Sequence, residues 1–151
     1  MNDPLHTFFH PRGVAVVGAS SNPQKLSHGV LKNLIEHGYT GPIHAVNPQG
    51  GKILGLTLYR SIAEVPDPVD LAVIVISANL ALGALEACGQ RGVKAAIVVA
   101  GGFGELGAEG EEREASLRAE LEKYNMRVIG PNCVGVMDTY TPLDTTFIRT
   151  M

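Results

Sequence analysis

Val14-Ala-Val-Val-Gly18 is followed by Ala19-Ser-Ser-Asn-Pro-Gln-Lys-Leu-Ser-His28, and the reading of this stretch decides the rest. A short β-branched run that stops at a glycine reads as a buried parallel strand feeding a loop. The loop opens a segment with Leu26, Val30, Leu31, Leu34 and Ile35, spaced as a helix packed on a sheet. Strand, Gly/Ser/Asn loop and helix start is how α/β proteins hold phosphate. The first N–H groups of a helix are unpaired and sit at the positive end of its dipole. The candidate ligand site is placed here, with the rest of the chain as its support.

Working outward, the same pattern recurs. The first helix should end at Gly38. Ile43 to Asn47 reads as a second strand, with Asn47-Pro48-Gln49-Gly50-Gly51 as the loop at its carboxyl end. Ile53 to Tyr59 alternates loosely, as a short irregular strand or an extended connection. Leu71 to Ile76 is a clear buried strand. Ser77 and Asn79 are good N-cap types for the helix that follows. That helix carries Ala81, Ala84, Leu85 and Cys88 on one face and stops at Gly92. Ala95 to Ala100 is the next strand, running into a second glycine-rich loop, Gly101 to Gly107. The following helix starts acidic, turns basic and buries Leu117, Leu121 and Tyr124. Arg127 to Gly130 is a short last strand. Strands and helices alternate, so the expected fold is α/β: a Rossmann-like, doubly wound parallel sheet of about five strands in the order 3-2-1-4-5. Residues 1–137 form the domain, and 138–151 read as an extended tail or linker leaving it.

Bulk properties bound the function. The 151 residues suffice for one domain with a real core. The 45% hydrophobic and 18% charged content excludes a disordered chain. A net charge of -3 argues against a general nucleic-acid or membrane surface. Cys88 and Cys133 have no metal-type or disulfide-framework spacing, and His6 and His10 are separated from any helical pairing by Pro11. The N-terminus lacks the pattern of a signal peptide and no apolar run is long enough to span a bilayer, so the expected setting is cytoplasmic.

At the carboxyl ends of the strands the loops offer Gly, Ser, Asn and Pro, which donate backbone N–H groups but supply few groups for proton transfer. The dinucleotide fingerprint fails twice: no second glycine follows Gly18 two positions on, and the second strand ends in Asn47 rather than an acid. The loop is longer instead and carries Lys25 and His28.

The stretch VAVVGASSNPQKLSHGVLKNL at 14–34 resembles the opening of the NDP-forming acyl-CoA synthetases. That superfamily includes ADP-forming acetate–CoA ligase and the α subunit of succinyl–CoA ligase. The resemblance continues in order through PIHAVNPQGGKILG, DPVDLAVIVISA, GVKAAIVVAGGFGELG, RVIGPNCVGVMD and PLDTTF. It implies a coenzyme A-binding domain of a larger enzyme. Gly18, Ala19, Ser20, Ser21, Asn22 and Lys25 would hold the CoA phosphates. Val46, Asn47 and Pro48 would border the adenosine. Ser77, Ala78 and Asn79 would line the pyrophosphate and pantetheine path. Gly101, Gly102, Asn132 and Cys133 would lie near the thiol end. Two departures matter. The lysine that many relatives place directly after Val-Asn-Pro stands at Lys52, and Ala100-Gly101-Gly102 replaces the Thr-Glu-Gly of the succinyl branch, which favours the acetate type.

In that family a histidine of a second domain carries the phosphoryl group and a separate ATP-grasp part binds the nucleotide. None of the histidines here matches the phosphohistidine segment, and His37, beside Gly38, reads as structural. No catalytic residue and no metal site are expected, and Cys133 has no adjacent His or Lys to activate it. The chain should bind CoA or acyl-CoA without making a thioester, in company with ligase and ATP-grasp domains or subunits, and a homo-oligomer is compatible with this. The competing readings are a regulatory CoA or acyl-CoA domain of the kind fused to acetyltransferases, and an NAD(H)-sensing Rossmann domain.

Overall fold

A computed structural model describes residues 3–149. At its centre lies β1 (Val14–Val17), flanked in parallel by β2 (Ile43–Val46) and β5 (Leu71–Ile74), with Val14 level with both Ile43 and Leu71. Beyond β5 come β6 (Ala95–Val98) and β7 (Arg127–Ile129), both parallel; beyond β2 come β4 (Leu56–Tyr59) and then β3 (Gly51–Ile53), which is antiparallel to β4. The order is β3-β4-β2-β1-β5-β6-β7. The expected 3-2-1-4-5 arrangement is its interior, and the sheet is wider than five strands. Ile53–Tyr59 is not one loose strand but part of a hairpin. Its two-residue turn places Leu54 at φ 51 and Gly55 at φ 78, the primed-turn geometry that suits twisted strands.

The central strands are apolar on both faces because both are covered. Val14, Val16, Leu71, Val73, Ala95 and Ile97 pack in one core with Phe8 of α1 (His6–Phe9) and with Val30, Leu31 and Leu34 of α2 (Leu26–Glu36). The alternate residues Ala15, Ala72, Ile74, Ala96 and Val98 pack in the other, with Ala81, Leu85 and Cys88 of α3 (Ala78–Arg91) and Leu117 of α4 (Ala108–Tyr124). The period-two split of each strand thus sorts its side chains between two helical layers. Leu26 and Ile35, counted on the apolar face of α2, are exposed, and Ser27 and Asn33 are buried instead.

Helix ends follow their local chemistry. Gly92, at φ 88, closes α3, its N–H donating to the Gly89 carbonyl. Asn125, at φ 51, closes α4. The segment after Asp138, expected to leave the domain, folds back: β8 (Met137–Asp138) pairs antiparallel with β9 (Leu143–Asp144), and residues Leu143 to Thr146 are buried against α2. Among the described residues no helix is long and apolar enough to cross a membrane.

Candidate functional site

The carboxyl ends of β1, β2, β5 and β6 open onto a cavity of about 660 Å³. Parallel strands put their loops on one rim, and the cavity sits where the connections diverge to opposite faces of the sheet, on either side of β1 and β5.

The β1–α2 loop is built by its own polar groups. Gly18 is at φ 89, and a Cβ there would collide with the Val75 carbonyl oxygen and the Ile76 side chain; only glycine lets β1 turn so close to the end of β5. The Gly18 and Ala19 N–H groups both donate to the Val46 carbonyl, at 2.9 and 3.1 Å. Ser20 Oγ accepts from Asn22 N–H at 3.1 Å, and Asn22 Oδ1 accepts from Gln24 N–H at 2.9 Å. The His28 Nδ1–H donates to the Ser20 carbonyl at 3.0 Å, which fixes that tautomer. Asn47 Nδ2 reaches across from β2 to the Ala19 carbonyl at 3.0 Å, while its Oδ1 accepts from Gln49 N–H. Asn47, expected to border the adenosine, thus also braces the loop through its side-chain amide.

Two helices start at this rim. Lys25 is the N-cap of α2 and Ser77 the N-cap of α3, and neither helix has a side-chain cap bond or an acidic residue in its first turn. The positive ends of both dipoles are left uncompensated. Lys25, Leu26 and Ser27 of α2 and Ser77 before α3 all line the cavity. No carboxylate lines it among the described residues, and Lys25 is the lone cationic side chain that does. Such a wall attracts an anion and offers no general base.

The apolar part of the lining comes from Val75, Ile76, Val99, Val134 and Phe147. Cys133 borders it, half-buried, with its thiol donating to the Val98 carbonyl at 3.3 Å. Burial pushes that thiol above its ordinary range, which disfavours the thiolate form.

Of the residues singled out from sequence, Gly18, Ser20, Lys25, Asn47, Ser77, Gly101, Asn132 and Cys133 meet at the cavity wall. Ala19 and Val46 are buried beneath the loop. Ser21, Asn22, Pro48, Ala78, Asn79 and Gly102 lie off the wall. The Gly102 N–H is taken by Glu105 Oε1, and its carbonyl accepts from Arg113 at 2.9 Å. Lys52 stands exposed on β3, away from the cavity. Sequence reading missed Leu26, Ser27, Val75, Ile76, Val99, Ala100, Val134 and Phe147. Most of these directly follow a strand end or open a helix, a positional signal that was available. Phe147 closes the PLDTTF motif, but its segment has no local periodicity to point it at the cavity. His6 and His10 stack with ring centroids 4.7 Å apart at the far end of the sheet. Among the described residues no three His, Cys, Asp or Glu side chains gather as a metal would require.

Comparison with known proteins adds a family. A model described as a CoA binding domain matches residues 12–139. The chain is 46% identical over 147 residues to the α subunit of ADP-forming acetate–CoA ligase I of Pyrococcus furiosus, covering 95% of this chain and 32% of that protein. It is 39% identical over 145 residues to ADP-forming acetate–CoA ligase I of Archaeoglobus fulgidus, covering 96% of this chain and 21% of that one. A solved structure of dinucleotide-forming acetyl-coenzyme A synthetase 1 of Ca. Korarchaeum cryptofilum, in complex with phosphate and ADP, superposes with a TM-score of 0.92 at 41% identity, over 97% of this chain and 31% of that one. The chain thus spans a third or less of the length of these relatives.

Proposed function

The chain belongs to the CoA binding domain family, and from that premise we propose that the cavity at the strand ends holds coenzyme A for an ADP-forming acid–CoA ligase. The observation that carries the reading is the acid-free wall: Lys25 and two uncapped helix starts face a cavity without a carboxylate. That is the chemistry a pyrophosphate or ribose phosphate selects. The apolar stretch from Ile76 to Val99 and Phe147 suits the pantetheine arm, and Gly101, Asn132 and Cys133 stand where the thiol end would emerge. On this reading the cavity-wall residues among those described bind and orient the coenzyme. Activation of the acid and transfer of the phosphoryl group belong to parts outside this chain, an ATP-grasp unit among them. The two free thiols, Cys88 and Cys133, fit a cytoplasmic setting.

Calorimetric titration of the purified chain with CoA, acetyl-CoA, ADP and NADH tests this. CoA and acetyl-CoA should bind with similar affinity, ADP more weakly and NADH not measurably. Preference for NADH overturns the reading.

A further inference from the structure

The segment from Leu143 to Arg149 runs from the β8–β9 hairpin across α2 to the rim of the cavity. Asn33 sits in the middle of α2, 4% exposed, where an amide neither caps the helix nor packs as an apolar side chain does. Its Nδ2 donates to the Thr146 carbonyl at 2.8 Å and to the Ile148 carbonyl at 2.9 Å. One turn earlier, a Cβ on Gly29 would lie 3.2 Å from the Phe147 carbonyl oxygen, so the glycine lets this backbone lie on the helix. Asp144 Oδ1 accepts from Thr146 N–H at 2.8 Å, and its Oδ2 lies 2.8 Å from His37 Nδ1. From this seat Phe147 reaches the cavity wall. Arg149 Nη2 donates to the Pro23 carbonyl, within the β1–α2 loop, at 2.6 Å.

We infer that residues 143–149 form a strap, held on α2 by Asn33, that sets both the β1–α2 loop and one wall of the ligand cavity. Its effect on coenzyme binding rests on the reading of that cavity given above. Asn33 does not line that cavity and is a positioning residue. A loop already held in its binding shape has less ordering to lose on binding. Linkage makes the effect reciprocal: a ligand that needs the seated strap must in turn hold it down.

The test is backbone amide hydrogen exchange on the whole chain, with and without CoA, in the wild type, Asn33→Asp and Arg149→Ala. Asn33→Asp keeps the side-chain volume but loses both donors. Arg149→Ala removes only the exposed outer tie, so it reports even where Asn33→Asp does not fold. Both variants should speed exchange at residues 20–26 in the free chain, with β1 and β5 unchanged. Asn33→Asp should also raise the CoA dissociation constant about tenfold, as expected for a loss on the order of one or two hydrogen bonds. In the wild type CoA should slow exchange at 145–149, and Asn33→Asp should abolish that slowing. Unchanged loop exchange and affinity in both variants would reduce the strap to packing and overturn the inference. A wild type that fails to bind CoA, with loop exchange still raised in the variants, would instead sink the coenzyme reading and leave the strap standing.

Discussion

Lys25 joins a flexible cation to the first turn of α2 and supplies the single positive side chain on the described cavity wall. Replacing it with alanine should weaken CoA binding by about 1.5–3 kcal/mol, the scale of a hydrogen bond to a charged group. The loss should shrink as salt rises, because an exposed pair is screened; titrations at two ionic strengths check both. Leu54 raises the opposite issue. It occupies the left-handed region at φ 51, half of its side chain exposed, in a turn that favours Asn or Gly. A left-handed leucine costs roughly 1–2 kcal/mol. Leu54→Asn should therefore raise the melting temperature without altering ligand affinity, and a fall in melting temperature would contradict the turn geometry.

At the scale of elements, α4 carries the sharpest test. Gly110 lies in its first turns, where glycine to alanine ordinarily stabilises a helix by about 1 kcal/mol. Here a Cβ would collide with the Phe103 carbonyl oxygen, in the loop leaving β6. The sign should reverse: Gly110→Ala should lower the melting temperature, and a neighbouring exposed change such as Glu112→Ala should leave it nearly unchanged. The helix is held this close because the Phe103 side chain, 3% exposed, is buried in the core beneath it. The Arg113 bond to the Gly102 carbonyl and the Arg113–Glu109 pair at 2.7 Å tie the same junction from outside. The loop after β6 is thus braced by α4, as the loop after β1 is braced by Asn47.

The whole molecule registers pH through groups that do not line the cavity. His44 is buried on β2, with Nε2 3.3 Å from the Pro68 carbonyl; burial holds its pKa below the ordinary 6.5. Above that value both folded and unfolded chains carry a neutral imidazole. As pH falls below it the unfolded chain takes up a proton first, so stability drops until the folded pKa is reached. At the other end of β5's approach, Arg12 holds Asp70 in a bidentate pair at 2.9 Å and keeps its carboxyl below the usual 3.8. The stability from that pair is present above the ordinary carboxylate range and is lost as pH falls through the folded value. Thermal melts should therefore decline in two stages on acidification. His44→Gln should flatten the first stage and Asp70→Asn the second, and an unchanged profile in His44→Gln would remove the imidazole from the account.

The residues alone determined the alternation of strand and helix, the interior strand order, the rim on which the loops gather and the asparagine, not an acid, at the end of β2. Each of these is local: a β-branched run ending in Gly18, an apolar stripe in α2, an asparagine at the end of β2. Family resemblance was equally legible, since it is carried by ordered strings of residues. Tertiary structure alone decided the rest. It made Ile53–Tyr59 a hairpin through a leucine that no turn rule selects, and buried Asn33, which the apolar stripe of α2 had left out. It gave Asn47, which stays on the cavity wall, a second task as brace of the β1–α2 loop, and brought Phe147 to the cavity from the far end of the chain. For the two asparagines the deciding partner lies across the fold: Thr146 and Ile148 for Asn33, Ala19 for Asn47. The pairing of distant backbone groups with a buried amide leaves no trace in the spacing of either segment.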